Sequence, residues 1–381
     1  MRVRKWLEGY VAALTVPAHG HAVSSNVRDF LKRRKLSKRL WLRAKRDLVM
    51  FCTMQLVLVR ECVPADAKRI LYVYLGNPNL GDSIMDLSPR TLWAEKGLQV
   101  DIYTNSVMAS LYKDDPSFHK VICEPKDLAA QYDFIVLQSY SWKCLKFKWR
   151  HYFFKPFVSL HGHYYGCEFN RLVFAEAAWR DVMQLPPQNG QSICPAIFNL
   201  SLDHTLDVGA RVKNKVALAV GGIVDWRTYA NWSNVVAKVH ERLPDLEWVL
   251  IGSENGISTA EALMQCHHKD IKITNLVCQL SLNDVFRQLQ NVGLLVAADG
   301  GLMNIGRAAK VPIVALFARE IHPLMRFSQT DSAYVIHSPT SVAEISAVAI
   351  SEAIFYGLNK MPEKLVAKYL GDEPEYSINK D

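Results

Sequence analysis

Residues 296–317 read VAADGGLMNIGRAAKVPIVALF, and this stretch decides the fold. An apolar run enters two glycines, a helix-like segment rich in small residues follows, and a Pro-led turn opens a second apolar run. This order predicts a strand, a crossover helix and a parallel strand, the unit from which doubly wound sheets are built. Bare backbone N–H groups at Gly300 and Gly301 would open the helix, and phosphate oxygens bind readily there. A tight structural turn is the alternative for the glycine pair.

The same alternation of strand and helix patterns extends in both directions. One series starts at Lys68, and a second starts at Lys215, after a Pro-, Gly-, Asn- and Asp-rich stretch at 186–212. We therefore predict an α/β fold with two doubly wound, Rossmann-like domains facing across a cleft. The expected boundaries are 1–65 for a basic, amphipathic N-terminal extension, 66–195 and 196–342 for the two Rossmann-like domains, and 343–381 for a C-terminal helix and tail.

Composition and charge limit the class of protein. Half of the 381 residues are hydrophobic, enough to bury large cores. Residues 1–61 hold 14 Lys and Arg against 4 Asp and Glu, a balance of +10, so the other 320 residues sum to −2 within the net +8. This asymmetry excludes an evenly basic protein that coats nucleic acid, and we expect no nucleic-acid partner. Eight cysteines without a CxxC pair favour a reduced, cytosolic protein.

The basic N-terminal extension combines clustered charge with apolar residues. Lys and Arg crowd residues 32–46, and a mostly apolar run follows at 48–59. That run is shorter than the roughly 20 residues that span a bilayer. Basic residues beside Trp and apolar residues suit an anionic membrane surface, so we predict peripheral attachment through residues 32–59. The alternative is a solvated basic helix followed by a helix that packs on the body.

The loop after the first strand supplies a candidate catalytic residue. It reads GNPNLGDS over residues 76–83 and leads into a helix. Asp82 would then project from a helix N-terminus at the carboxyl end of the sheet, placed to remove a proton from an acceptor hydroxyl. The alternative is that Asp82 only caps the helix, a stabilisation of about 1 kcal/mol.

Loops after strands of the second series supply candidate binding residues. Arg227 follows the first strand of that series and would neutralise a diphosphate leaving group; its alternative is an ordinary surface arginine. Gly252 and Glu254 follow the next strand, where they would accept hydrogen bonds from ribose or base groups. Cys266, His267 and His268 adjoin one another, but neighbours on a helix diverge by about 100°, so we expect no metal site.

Together these segments resemble the lipopolysaccharide heptosyltransferases, glycosyltransferase family nine. The resemblance runs in the family's order over about residues 68–358. It is carried by Leu80-Gly81-Asp82, by Arg227 before the Trp232 helix, by the Gly252 loop and, most specifically, by residues 299–317. The family usually has His where this chain has Asn304, and often Thr or Ser in place of Gly300. These departures bear on the donor sugar more than on the fold.

The resemblance implies a GT-B fold with an N-terminal acceptor domain and a C-terminal nucleotide-sugar domain. It implies metal-independent, inverting transfer of a sugar from a nucleotide diphosphate, ADP-heptose above all, to a lipid-linked oligosaccharide acceptor, with no cofactor. Asp82 matches the family's base, and the donor-binding set comprises Arg227, Gly252, Glu254, Asp299, Gly300, Gly301 and Asn304. For an anionic acceptor, the aromatic-rich segment 140–157 offers Lys143, Lys146, Lys148 and Arg150, for which a solvated face is the alternative. The implied location is the bacterial cytoplasm, peripheral on the inner membrane's cytoplasmic face.

Two other functions stay open at this point. Polysaccharide pyruvyl transferases also carry an Asn-x-Gly-Asp loop after the first strand, as at Asn79-Leu80-Gly81-Asp82, and they use phosphoenolpyruvate as donor. The chain could instead be a catalytically idle membrane or assembly protein that keeps the fold and uses its basic extension. Binding of a nucleoside diphosphate but not of phosphoenolpyruvate would separate the glycosyltransferase from the pyruvyl transferase, and no response to any nucleotide would favour the idle protein.

Overall fold

A computed structural model of the chain describes residues 7, 36–76, 79–161, 170–186, 195–203, 211–267, 271–319, 321–328, 331–360 and 365–371. Several sequence predictions lie outside these residues: the basic residues 32–35, Asn77 and Pro78 of the Asp82 loop, and most of the predicted domain crossover. The chain divides into two compact units. One comprises residues 1–194 and 199–201, and the other comprises 195–198 and 202–381.

The first unit is built on a five-stranded parallel sheet. Its strands are β1 (Arg69–Val73), β2 (Gln99–Tyr103), β3 (Lys120–Ile122), β4 (Phe134–Ser139) and β5 (Phe157–His161). The strand order is β3-β2-β1-β4-β5, and Ile70 of β1 pairs with Val100 on one side and with Phe134 on the other. The chain therefore reverses its direction of winding between β1 and β4, which makes that position the topological switch point.

The helices of the first unit follow the strands. They are α1 (Leu36–Cys52), which precedes β1, and then α2 (Leu80–Leu87), α3 (Leu92–Glu95), α4 (Ser106–Tyr112), α5 (Trp142–His151) and α6 (Arg171–Val182). The short helix α7 (Leu200–Asp203) begins in the first unit and ends in the second. Side-chain caps set several starts: Asn105 accepts from the N–H of Met108 before α4, and Ser141 accepts from Cys144 before α5. One apolar core, formed largely by β1, β4 and α5, includes Leu71, Val73, Ile135, Leu137 and Phe147.

The second unit repeats this design on a seven-stranded parallel sheet. Its strands are β6 (Val212–Ala219), β7 (Glu247–Ile251), β8 (Ile273–Asn275), β9 (Val292–Ala298), β10 (Ile313–Ala318), β11 (Ala333–Ser338) and β12 (Val366–Tyr369). The order is β12-β11-β10-β9-β6-β7-β8, so the switch point lies between β6 and β9. The helices are α8 (Trp232–His240), α9 (Ile257–His267), α10 (Leu282–Gln290), α11 (Gly301–Ala308) and α12 (Ala347–Lys360).

The core of the second unit explains why this sequence folds as it does. Strand β10, most of β9 and the second half of β6, residues 216–219, are apolar runs because helices cover both faces of a parallel sheet. Trp232 and Trp248 are fully buried in the core on one face, and α12 packs against α8 there. On α11, a Cβ added at Gly306 would lie 2.2 Å from Cδ2 of Leu295 in β9, so the small residue lets the helix approach the strand.

Candidate active site

Asp82 lies beside the switch point of the first sheet. It follows β1 and stands in the first turn of α2, with its side chain 20% exposed. The helix is capped by Asn79, whose extended backbone (φ −84°, ψ 146°) precedes it and whose carbonyl accepts from the N–H of Ser83 at 2.8 Å. The alternative that Asp82 only caps the helix is therefore wrong, because the N-cap position belongs to another residue.

Arg171 holds the Asp82 carboxylate. Its Nη1 lies 3.2 Å from Oδ1 of Asp82, while Nε and Nη2 each donate at 2.7 Å to the two oxygens of Asp86. Asp82 and Asp86 are four residues apart and so share one side of α2. A planar guanidinium suits such a paired contact, since it presents several N–H donors in a fixed fork. The contact fixes the orientation of the Asp82 carboxylate.

A buried polar network around Asp86 holds Arg171 in place. Asp86 is 1% exposed, and it accepts from the hydroxyl of Tyr74 at 3.0 Å and from Nε2 of Gln138 at 3.3 Å. Burial, and then the Asp86 carboxylate, raise the pKa of Tyr74 well above its ordinary value, so the hydroxyl keeps its proton and donates. The Gln138 side chain also accepts from the N–H of Gly76 at 2.6 Å, which ties the β1 loop to the end of β4.

Neither Arg171 nor Asp86 was found from the sequence. The spacing of Asp82 and Asp86 on one helix face was a usable signal for a shared cation. Arg171 is 85 residues beyond Asp86 and lies in no motif, so its contact depends on how α6 packs against α2.

Asp299 and the glycine pair lie at the switch point of the second sheet. Asp299 follows β9 and is 5% exposed, and Gly300 precedes the first residue of α11. Gly300 is extended (φ 179°), and a Cβ added there would meet just one atom within 4 Å, the carbonyl oxygen of Ala298 at 3.7 Å. The space beside Gly300 therefore admits the Ser or Thr that the resembling family often carries.

Two arginines converge on Asp299. Nη1 of Arg227 lies 3.3 Å from Oδ2, and Nε of Arg326 donates to Oδ1 at 3.1 Å. The guanidinium of Arg227 also stacks on the ring of Trp226, 4.4 Å from its centroid. The carboxylate of Asp299 thus holds two guanidinium groups beside the N-terminus of α11. Arg326 was missed from the sequence because its segment, after β10, carries no recognisable pattern.

Asn304 is buried one turn into α11. Its Nδ2 donates to the carbonyl of Gly300 at 2.9 Å, which fixes the side chain against the glycine turn. Within the described part of the chain, its Oδ1 has no hydrogen-bond partner. A buried acceptor without a donor is costly, so this oxygen suits a hydroxyl donor from outside the protein.

Gly252 and Glu254 have different surroundings. A Cβ added at Gly252 would lie 2.6 Å from the carbonyl oxygen of Val220, and one at Gly256 would lie 2.7 Å from the same atom. Gly221, with φ +86°, approaches Gly256 from the other side, so three glycines let the loops after β6 and β7 touch. Glu254 is exposed at the start of a short 3₁₀ helix.

The four candidate acceptor residues separate into two groups. Lys143, Lys146 and Arg150 are exposed on α5. Lys148 is fully buried, and its Nζ donates to the carbonyl of Phe153 at 3.0 Å and to Oε1 of Gln55. Burial lowers its pKa to about 7. The assignment of Lys148 to acceptor binding is therefore wrong, because its ammonium group faces the interior of the unit.

Two observations cover the described residues as a whole. None of their helices combines the length and the apolar character that a bilayer span requires. Their His, Cys, Asp and Glu side chains form no group of three or more placed to hold a metal ion.

Comparison with solved structures places the fold. A family 9 glycosyltransferase from Veillonella parvula superposes with a TM-score of 0.60 at 13% identity, over 78% of this chain and 99% of that one. The E. coli heptosyltransferase WaaC with ADP-2-deoxy-2-fluoro heptose gives 0.58 at 13%, over 75% and 99%. The E. coli ADP-heptose lipopolysaccharide heptosyltransferase II gives 0.56 at 15%, over 76% and 98%. At these identities the likeness shows the fold, and it confirms the predicted α/β, GT-B-like class.

The sequence adds what the fold alone leaves open. Residues 225–342 match the model of glycosyltransferase family 9 (heptosyltransferase), and that segment contains Arg227, Asp299, Gly300 and Arg326. No curated protein matches the chain in sequence. The matched segment is therefore similar in sequence to a glycosyltransferase family. The resemblance drawn from the sequence is confirmed: the chain is similar to the family 9 heptosyltransferases in fold and, over residues 225–342, in sequence.

Proposed function

We propose that the protein transfers a sugar, a heptose above all, from a nucleotide diphosphate to a lipopolysaccharide core or related glycolipid, with inversion at the anomeric carbon and without a metal. The observation that carries this is the Asp299 edge, the carboxyl end of β9 with Gly300 and Gly301, inside the matched segment, where Arg227 and Arg326 place two guanidinium groups beside the start of α11. Positive charge and free N–H groups are what a departing diphosphate requires.

Each part of the donor has a proposed partner among the residues of the second unit. Backbone N–H groups at Gly300 and Gly301 would bind the phosphate oxygens, and Arg227 and Arg326 would neutralise their charge. The Oδ1 of Asn304, which has no hydrogen-bond partner among the described residues, would accept from a sugar hydroxyl. Gly252 and Glu254, after β7, are proposed to contact the nucleoside. ADP is the proposed nucleotide because similar solved structures hold ADP or an ADP-heptose analogue.

The proposed chemistry is a single displacement. Asp82, ionised and oriented by Arg171, takes the proton of the acceptor hydroxyl as its oxygen attacks the anomeric carbon. The bond to the nucleotide breaks, and the diphosphate leaves with its negative charge stabilised by the two arginines and the glycine N–H groups. One displacement with the nucleophile entering opposite the leaving group inverts the anomeric configuration. Transition-state stabilisation of this kind replaces a divalent cation.

The acceptor is proposed to be a lipid-linked oligosaccharide, which places the protein at the cytoplasmic face of a bacterial inner membrane. The basic extension, with residues 32–59, supplies the peripheral contact in this proposal. The family match favours this function over pyruvyl transfer, because phosphoenolpyruvate offers neither a nucleoside nor a diphosphate to the Asp299 edge.

The test is a transfer assay with ADP-heptose and lipopolysaccharide that lacks its heptoses, followed by ADP release. We expect turnover that persists in EDTA. The anomeric configuration of the transferred sugar should be the opposite of its configuration in the donor. Asp82→Asn should lower turnover by about 10²- to 10⁴-fold while ADP still binds. The exposed Asp114→Asn is the matched control. Turnover of Asp82→Asn within a few-fold of wild type would show that another group is the base.

A further inference from the structure

The helix α1 exposes its apolar side. Trp41, Leu48 and Phe51 are 67%, 62% and 71% exposed, and their spacing of seven and three residues places them on one face. The opposite face, toward the first unit, buries Met50 together with Arg46. A helix that simply covers a core buries its apolar stripe and exposes its charges. The orientation of α1 therefore leaves an apolar face that packing against the described residues of the unit does not explain.

This apolar face continues past the end of α1. Met54 and Val57 are 67% and 74% exposed in the turn that follows. The turn adjoins the loop after α5, because Nε2 of Gln55 donates to the carbonyl of Phe153 at 3.3 Å. Next to Phe153, the Phe154 ring is 83% exposed. We call the exposed side chains of Trp41, Leu48, Phe51, Met54, Val57 and Phe154 the apolar ridge.

Buried Lys148 holds the two segments of the ridge together. Its Nζ donates to Gln55 of the first segment and to the carbonyl of Phe153 in the second, and it lies over the ring of Phe157 at 4.6 Å. Val59 also pairs with Phe157 as an isolated β-bridge. The α1 turn and the α5 loop are therefore fixed to each other as one surface.

The helix that leads to Phe154 adds positive charge and two tryptophans. Trp142 and Trp149 are exposed on α5, and so are Lys143, Lys146 and Arg150. Apart from the buried Lys148, residues 141–157 hold four Lys and Arg and no Asp or Glu. Tryptophan beside basic residues is typical of the boundary between lipid headgroups and acyl chains.

We propose that the apolar ridge and the exposed face of α5 dock on an anionic phospholipid bilayer. Charge selects this occupant: a basic face is attracted by anionic headgroups, whereas a second copy would place basic residues against basic residues. The ridge supplies apolar side chains for the headgroup boundary. The proposal assigns Lys143, Lys146 and Arg150 to the bilayer instead of the acceptor sugar. It rests on the proposed function, whose peripheral contact through residues 32–59 it deepens by naming the side chains that meet the bilayer and by adding α5 and Phe154.

The test is co-sedimentation of the full chain with vesicles of phosphatidylcholine, with and without phosphatidylglycerol, at low and high salt. We expect binding that needs the anionic lipid and weakens with salt. Phe154→Ser should weaken it about tenfold, since a ring leaves the lipid boundary. Lys146→Ala and Arg150→Ala should each weaken it about fivefold. Val107→Ser and Lys126→Ala, exposed residues elsewhere in the same unit, should bind as wild type does.

Three results would overturn the proposal. In the first, Phe154→Ser, Lys146→Ala and Arg150→Ala all bind anionic vesicles as tightly as the wild type does. In the second, the wild type binds neutral and anionic vesicles equally. The third is a dimer in solution that Phe154→Ser converts to a monomer, with no vesicle binding, which would assign the ridge to self-association. ADP titration of the same variants separates this proposal from the proposed function: the ridge variants should bind ADP as wild type does, and vesicle binding stands even if ADP fails to bind.

Discussion

The guanidinium of Arg171 lies 3.2 Å from the carboxylate of Asp82, and it also donates two hydrogen bonds of 2.7 Å to the buried carboxylate of Asp86. Asp82, in the first turn of α2, is therefore more than a carboxylate at a helix start. It is held by a cation that is itself anchored in the interior of the first unit. This relationship makes Arg171 a positioning residue for the proposed base.

Arg171→Met should lower turnover by tenfold or more, since a displacement of about 1 Å at a catalytic group costs up to about 10²-fold. KM for the donor and ADP affinity should stay unchanged, because the residues proposed to bind the donor belong to the second unit. Steady-state kinetics and calorimetry measure the three quantities. Arg180→Met, on the same helix and paired with Glu176, is the matched control.

The same substitution leaves Asp86 buried without its cation, which costs about 3–5 kcal/mol of stability. Arg171→Lys keeps the charge but loses the paired geometry, so it should be more stable than Arg171→Met and still slow. Wild-type turnover by a folded Arg171→Met would remove the positioning role.

At the donor edge, Arg326→Met should raise the Kd for ADP by about tenfold or more, since a hydrogen bond to a charged group contributes about 1.5–3 kcal/mol. Arg227→Met should act in the same direction, and both losses should shrink at high salt. Calorimetric titration provides the measurement. Arg287→Met, an exposed arginine of the same unit paired with Asp284, should bind ADP normally. An unchanged Kd for ADP in Arg326→Met would show that this arginine does not contact the diphosphate.

Two glycines of one strand–helix unit should respond oppositely to serine. In Gly300→Ser the added Cβ enters open space, 3.7 Å from the carbonyl oxygen of Ala298, so the free energy of unfolding should be unchanged. Gly306→Ser places a Cβ 2.2 Å from Leu295, and such overpacking should cost about 1–3 kcal/mol. Urea unfolding compares them. A large loss in Gly300→Ser would contradict the described geometry of the donor turn.

Lys148 should make stability depend on pH. Its pKa in the folded state is lowered to about 7 by burial, against about 10.4 in the unfolded chain. Between these values the unfolded state binds more protons, so the free energy of unfolding rises with pH, by at most about 1.4 kcal/mol per pH unit. Lys148→Met should lack this rise, whereas Lys146→Met, exposed on the same helix, should keep it. Identical slopes in wild type and Lys148→Met would refute a neutral buried amine.

The sequence predicted the parts of the fold and site that are local. Strand–glycine–helix order at residues 296–317 and the loop before Asp82 each depend on short patterns, and both occur at the predicted ends of strands. The partners of Asp82 and Asp299 were missed because Arg171 and Arg326 reach them through tertiary packing, which no spacing encodes.

Lys148 was misassigned although a signal was present. Four residues before it, Cys144 is buried on the same face of α5, and that spacing places Lys148 on the inward side. The exposed face of α1 had no such signal, because the sequence alone does not say which side of an amphipathic helix meets the body.

The most direct test of the central claim is calorimetric titration of the full chain with ADP, UDP, GDP, CDP and phosphoenolpyruvate, in EDTA. The account predicts one site for a nucleoside diphosphate, ADP above all, weakened in Arg227→Met and Arg326→Met, with no heat from phosphoenolpyruvate. Binding of phosphoenolpyruvate, or of none of the nucleotides, would contradict a nucleotide-sugar site at the Asp299 edge.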